Sequence, residues 1–168
     1  MADPGDPALP SRADRRRPLS LWLLAAVMAV LFLGGLSGAW MFLAHPDGRG
    51  IGMEATLARL PVDSFVLPGL FLPLVMSLLP ALLIAGMLSR SDWPWLEPLA
   101  QATGMRGSWV CAVALGIGIG IWLGIQGFFI GFAAPAQRFT ALIGAGILLC
   151  ALAPSTRRAM RGRRRPSG

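Results

Sequence analysis

The sequence predicts an all-α integral membrane protein, a four-helix bundle with short loops and disordered arginine-rich termini. Four apolar stretches, at about 19–44, 64–88, 109–133 and 136–154, contain no aspartate, glutamate or arginine away from their ends. Each is close to the ~20 residues that an α-helix needs to cross a bilayer. Charged residues make up 14 % of the chain, against about 25 % in an average soluble domain, which excludes an ordinary soluble fold.

The first span follows a tail whose composition predicts disorder. Residues 1–18 are rich in Pro, Asp, Ala and Arg and have no apolar period. Arg15–Arg17 before an apolar run also resembles the start of a secretory signal peptide, with Ser37–Ala39 as a candidate cleavage site. The apolar run continues to Leu43, beyond a usual signal core of ~7–15 residues, and this favours an uncleaved first span.

The loop between the first two spans carries four side chains of metal-ligating type, namely His45, Asp47, Glu54 and Asp63. Their spacing matches no metal motif, and two arginines lie among them, so we interpret the segment as a solvated loop. We expect no metal site. We also expect no cofactor site, because the chain has neither a phosphate-binding loop nor a dinucleotide fingerprint.

The second span contains three prolines, Pro68, Pro73 and Pro80. Pro68 lies near the start of the span, where proline is tolerated. Pro73 and Pro80 are seven residues apart and therefore share a face, and each removes one backbone hydrogen bond. This pattern predicts a bend, which serves either as a packing kink or as part of a gate.

The third span carries five glycines that share one face of a helix, Gly116, Gly120, Gly124, Gly127 and Gly131. At about 100° per residue they fall within an arc of roughly 80°, and only Gly118 points away. We call this set the third-span glycine face. It predicts a groove that a second helix approaches closely. The candidate partners are Gly34 and Gly38 of the first span, or Ala141, Gly144 and Ala145 of the fourth. The sequence leaves open whether the groove closes within one chain or between two.

Gln126 is the one strongly polar side chain within a span. Its amide can bond across helices, a contact worth about 0.6 kcal/mol on average. The alternative interpretation is a polar pocket formed by Gln126 with Pro73 and Pro80 of the second span.

The distribution of arginine predicts the topology. The chain has no lysine, and one set of arginines flanks the spans on the side of the two termini: Arg12, Arg15, Arg16, Arg17, Arg90, Arg106, Arg157, Arg158, Arg161, Arg163, Arg164 and Arg165. The other side holds only Arg49, Arg59 and Arg138. The positive-inside rule then predicts a multi-pass membrane protein with both termini in the cytoplasm. Residues 155–168 form a basic tail in this interpretation, and both tails can bind anionic lipid head groups.

Other functional classes find little support in the sequence. No aromatic residues interleave with the tail arginines, which argues against a nucleic-acid groove. Cys111 and Cys150 lie in different spans with no C-x-x-C spacing, so they are expected to act as small buried residues rather than redox centres. No span presents a base beside a nucleophile, and we therefore expect no catalytic residues.

Part of the chain resembles a known group of proteins. The resemblance covers about residues 45–154, and the residues that carry it are Pro46-Asp47-Gly48, Gly52-Met53, Leu60-Pro61, Ser64–Leu70 with its Pro68-Gly69 pair, Trp122, Gln126-Gly127-Phe128 and Gln137. This pattern resembles a family of small uncharacterised four-span bacterial membrane proteins. That family has no assigned activity, so the resemblance implies architecture, with some interest in Pro68, Gly69 and Gln126. The longer loop 91–107 and the arginine-rich tail depart from the family pattern.

With the resemblance, these observations favour a multi-pass protein of the bacterial inner membrane. Its expected role is a non-enzymatic accessory subunit or a self-associating membrane module packed through glycine faces. The alternative is a small transporter or channel subunit that acts as an oligomer, although drug exporters of this size usually depend on a membrane-embedded carboxylate, which is absent here. A membrane enzyme acting on lipid or quinone is a third class, for which the sequence shows no catalytic group.

Overall fold

The predicted all-α fold and its four apolar spans are confirmed. The computed structural model describes residues 17–89, 93–132 and 135–161, and within these ranges there is no β-strand. The helices are α1 (Leu19–Ala44), α2 (Glu54–Leu57), α3 (Val66–Phe71), α4 (Leu79–Ser89), α5 (Glu97–Thr103), α6 (Gly107–Ile130), α7 (Pro135–Leu152) and α8 (Pro154–Ala159). A π-helical segment, Leu72–Leu78, joins α3 to α4.

Four helices are long and apolar enough to cross a membrane. The first span is α1, the second is the continuous Val66–Ser89, the third is α6 and the fourth is α7. Neighbouring spans along the chain run in opposite directions, so both described chain ends meet at one end of the bundle. We call it the terminal end, and the opposite end the loop end. The first span packs between the second and the fourth, and the third packs against the fourth and against α4 of the second.

The burial pattern is that of a bundle surrounded by lipid. A narrow core runs along the bundle axis and includes Leu24, Met28, Leu83, Ile119 and Ile147. Only 28–33 % of each apolar span is buried inside the protein, and many large aliphatic side chains point outward from every span. Exposed apolar surface on this scale is not tolerated in water, whereas lipid tails solvate it at no cost.

The second span changes its helical period where its prolines lie. The N–H of Leu79 bonds to the carbonyl of Leu74, five residues back rather than four. Pro73 lies within this π-helical segment, and Pro80 comes two residues after Leu78, the last residue of the segment. Proline has no N–H, and its ring clashes with the carbonyl four residues earlier, so regular α-helical bonding is interrupted between the two prolines.

The terminal end is covered by two short helices. After the second span, α5 packs on the start of α6 and ends at Gly104, whose φ of 65° is the left-handed conformation that glycine adopts at helix ends. Helix α8 begins at Pro154, one residue before the predicted basic tail, 155–168, and it packs on α1 and α7. The first part of that tail is therefore helical rather than disordered. The rest of the predicted disorder, over residues 1–16 and 162–168, falls outside the described residues.

The loop end is closed by the segment between the first two spans. Phe65 is buried, stacks on Phe42 at 4.8 Å between ring centroids and donates its N–H to the carbonyl of Pro46 at 2.8 Å. Gly48 has a φ of 77°, and a side chain there would also meet the Phe65 ring at 2.9 Å. The turn at Pro46–Gly48 therefore packs against the buried ring of Phe65 at this end of the bundle.

Candidate helix-packing site

The third-span glycine face meets the fourth span at one residue. Gly116 is buried, and a Cβ there would lie 2.7 Å from Cγ of Leu148 and 3.5 Å from the carbonyl oxygen of Gly144. Gly144 is buried too, with Ile119 of the third span at 2.9 Å from the position of a Cβ. Two glycines thus face each other across the α6–α7 contact, and the absence of side chains lets the two backbones approach closely.

The rest of the glycine face turns away from the other spans. Gly120 and Gly124 are exposed, and a Cβ at either would meet no atom within 4 Å. A Cβ on Gly127 would meet the ring of Phe132, which follows α6 in the same chain. Gly131 is the residue at which α6 ends, and its φ is 75°. The buried side of α6 is formed by Ala112, Leu115, Gly116, Ile119 and Leu123. The glycine arc therefore touches the bundle at its Gly116 edge and leaves Gly120 and Gly124 on the outside.

The first span packs against the second through Gly35, which lies outside the predicted pair of Gly34 and Gly38. Gly35 is buried, and a Cβ there would lie 2.6 Å from Oγ of Ser77 and 2.7 Å from Cβ of Met76. Gly34 has no atom within 4 Å of such a Cβ, and Gly38 meets Leu72 of the second span at 3.0 Å. Gly35 and Ala39, both buried, form a small-x-x-x-small pair shifted by one residue from the predicted one. The adjacent Gly34-Gly35 pair was the available signal.

The residues of the predicted polar pocket, Gln126, Pro73 and Pro80, differ in their burial. Gln126 is half-buried and makes no hydrogen bond among the described residues, Pro73 is half-buried and Pro80 is buried. One turn before Gln126, the ring of Trp122 stacks on Phe71 of the second span, with 4.7 Å between centroids. This aromatic pair bridges the two spans toward the loop end, where their backbones are farther apart than at α4.

The loop between the first two spans presents charges around an open depression. Its volume is about 580 Å³, and Asp47, Arg49, Glu54 and Asp63 contribute to its lining. Arg49 pairs with Asp47 at 3.6 Å and with Glu54 at 3.4 Å, and all three side chains are exposed. No group of three or more metal-ligating side chains occurs within the described residues. The arrangement is that of solvated, mutually paired charges.

The terminal end is held together by hydroxyl groups. Thr156 of α8 is fully buried and donates to Oγ of Ser20 at 2.8 Å, and the Ser20 and Ser155 hydroxyls lie 2.7 Å apart. Trp109 Nε1 donates to the carbonyl of Ala151 at 2.7 Å, which links the third span to the fourth. These bonds attach α8 to the start of the first span and close this end of the bundle.

Backbone and guanidinium contacts complete the terminal end. The N–H of Arg106 donates to the carbonyl of Met160 at 2.8 Å, and Met105 forms an isolated antiparallel bridge with Arg161. Arg17 donates to the carbonyl of Leu88 at the end of the second span, and its guanidinium lies 6.0 Å from the ring of Trp22. Chain segments from before, between and after the spans are thus tied to one another.

No protein-family model matches the chain, and neither a curated protein nor a solved structure is significantly similar to it. The resemblance to small four-span bacterial proteins therefore stays a prediction from the residues. Chemically, the spans contain no His, Asp or Glu, since the single His45 and every carboxylate lie in loops or tails. What the described residues offer is close helix contact at glycine and a basic, hydrogen-bonded terminal end.

Proposed function

We propose that this protein is a non-enzymatic, self-associating membrane module in which Gly120 and Gly124 of the third span contact a second copy. One observation carries the proposal. Gly116, on the same face, is packed against the fourth span, whereas Gly120 and Gly124 are exposed with no atom within 4 Å of a Cβ position.

The energetic argument concerns the cost of glycine in a helix. Glycine destabilises a helix interior by about 1 kcal/mol relative to alanine, and within one chain nothing offsets that cost at Gly120 and Gly124. A second helix at this face would gain van der Waals contacts and Cα–H···O contacts, which drive association where lipid removes the hydrophobic force. Exposed Ile117 and Ile121 border the two glycines and would supply the surrounding ridge.

The proposed setting is the bacterial inner membrane, with both termini in the cytoplasm. Twelve arginines flank the spans at the terminal side and three at the loop side, and four spans return the chain to the side on which it began. Anionic lipid head groups are the proposed partners of the arginine-rich tails, each arginine contributing about 1 kcal/mol near a charged leaflet.

Reconstitution at low protein density tests the proposal. Singly labelled protein in liposomes, counted by stepwise photobleaching, should give dimers or larger oligomers. Gly120→Leu and Gly124→Leu should each raise the dissociation constant on the order of tenfold, because overpacking costs about 1–3 kcal/mol where a contact cannot relax. Gly118→Leu, on the other side of the same helix, is the matched control. A monomeric wild-type protein at every density would refute self-association.

A membrane accessory subunit without self-association is the neighbouring alternative. It predicts that the protein is monomeric when pure and recovers a defined partner in constant ratio when extracted from its native membrane. The photobleaching count and the co-purification together separate the two.

A small transporter or channel subunit that acts as an oligomer is the second candidate. The π-helical segment Leu72–Leu78 favours this candidate. Short π-helical segments within α-helices occur often at functional sites, and an interrupted helix can bend there. The half-buried amide of Gln126 would line the path. Solute flux into liposomes that is lost in Gln126→Leu would support this candidate over a purely structural module.

A further inference from the structure

The strongest unexplained feature is the arginine surface of the terminal end. It comprises Arg17 before the first span, Arg106 before the third, and Arg157, Arg158 and Arg161 in and after α8. Among the described residues, no carboxylate lies within 4 Å of Arg17, Arg157, Arg158 or Arg161, and the one described acidic side chain at this end is Glu97 of α5. The surface therefore carries a strong positive charge.

This charge is held in place by the fold. Thr156 and Met160, four residues apart, are buried, so α8 is docked rather than free, and the hydroxyl bonds to Ser20 fix it against the first span. Arg157 and Arg158 are exposed on the docked helix, and the N–H of Arg106 bonds to Met160. The three arginine-bearing segments thus have fixed relative positions.

Apolar surface continues directly from the arginines into the membrane. Leu19 and Leu23 of the first span and Leu149 and Leu152 of the fourth are exposed at the same level of the bundle. Between these two helices, Cγ1 of Val27 lies 3.4 Å from the position of a Cβ on Gly146, so the helices are in van der Waals contact. Arginines at the end of this helix contact can bind the head group of a lipid whose acyl chains lie along the exposed leucines.

We infer that the terminal end is a built binding site for an anionic phospholipid that carries more than one phosphate. Several arginines on separate segments of fixed relative position match a head group with two phosphates better than one with a single phosphate, because each guanidinium can bond phosphate through oriented donors. The inference rests on the membrane setting proposed above and deepens its lipid partner. It does not depend on self-association.

A loose basic tail and a built site make different predictions. A loose tail responds to the total negative charge of the membrane, and each arginine changes affinity about fivefold whichever lipid supplies that charge. A built site distinguishes lipids at equal charge, and it depends on the hydroxyl groups that position α8 even though they carry no charge.

The test uses single full-length chains in nanodiscs, so that oligomerisation plays no part. Binding is measured with diphosphatidylglycerol and with twice the molar amount of phosphatidylglycerol, at matched total charge in a phosphatidylcholine background. We expect diphosphatidylglycerol to bind at least tenfold more tightly. Equal affinity for the two lipids would overturn the built site and leave only diffuse attraction.

Two sets of variants locate the site. Arg157→Gln with Arg158→Gln should abolish the tenfold preference for diphosphatidylglycerol. Neutralising Arg163, Arg164 and Arg165 should lower the affinity for both lipids by the same factor and keep the preference. Thr156→Val with Ser20→Ala should lower the preference with every arginine intact, and a melting curve checks that these variants remain folded. Loss of preference with the tail arginines, or its retention when Arg157 and Arg158 are replaced, would contradict the assignment.

Discussion

Gly35 of the first span lies directly against Ser77 of the second, where a Cβ on Gly35 would be 2.6 Å from the serine hydroxyl oxygen. The same hydroxyl donates a hydrogen bond of 2.9 Å to the carbonyl of Phe32, one turn earlier in the first span. Ser77 belongs to the π-helical segment and is buried. The irregular part of the second span is therefore held against the middle of the first span by close packing and by one hydrogen bond.

The first prediction concerns this contact. Gly35→Leu should destabilise the protein by about 1–3 kcal/mol, because the new side chain meets backbone and Cβ atoms of Met76 that cannot move easily. Gly34→Leu is the adjacent control, since its Cβ position is open. Thermal unfolding in detergent measures both, and similar melting temperatures for the two variants would contradict the close contact.

The third-span glycines give a second prediction that separates packing within a chain from packing between chains. Gly116→Leu should lower the melting temperature of the monomer, because Leu148 and the Gly144 carbonyl occupy the space that the new side chain needs. Gly124→Leu should leave the monomer's melting temperature near that of the wild type and weaken only its association. A monomer destabilised equally by both substitutions would show that the outer glycines also pack within the chain.

The topology gives a third prediction. After Arg158, a reporter that works only in the cytoplasm should be active, and one that works only in the periplasm should be inactive. At Gly52, an exposed loop position, the opposite result is expected. The reason is the excess of arginine at the terminal side. Periplasmic activity of the C-terminal fusion would reverse the proposed orientation.

A fourth prediction concerns proton conduction. No span contains a carboxylate or histidine, and carrying a charge through the bilayer centre costs at least about 2.5–3.5 kcal/mol on insertion scales. Purified protein in liposomes should therefore show no pH-driven proton flux above empty liposomes. A reproducible flux that Gln126→Leu abolishes would assign Gln126, Pro73 and Pro80 to a conduction path.

The span boundaries could be predicted from the sequence because apolar length alone determines them. α1 begins and ends at the predicted residues, and the ends of the other three spans differ from the predicted ones by one to three residues. The prolines of the second span indicated an interruption, but not the π-helical form that it takes. The segment also packs against Gly35 through Met76 and Ser77, a contact between distant parts of the chain that no local sequence pattern encodes.

The contacts between helices were harder to predict because they depend on how each helix is rotated. A glycine arc of roughly 80° has two edges, and only the packed structure shows that the Gly116 edge faces the fourth span. Likewise, helix α8 was not predicted from the sequence. Its apolar pattern is weak, because the buried residues Thr156 and Met160, four residues apart, lie among exposed arginines.

The central claim, that the outer glycines contact a second copy, is tested most directly by cysteine cross-linking in native membranes. In a background with Cys111→Ala and Cys150→Ala, single cysteines are placed at Gly120 and Gly124, at Gly118 and Ile125 on other sides of the helix, and at exposed Gly34 of the first span. Disulfides need Cα atoms within about 7 Å, so only a close helix pair forms them efficiently. We predict dimers cross-linked at positions 120 and 124 and little product at 118, 125 or 34. Equal yields at all five positions, or highest yields at 118 and 125, would contradict the account.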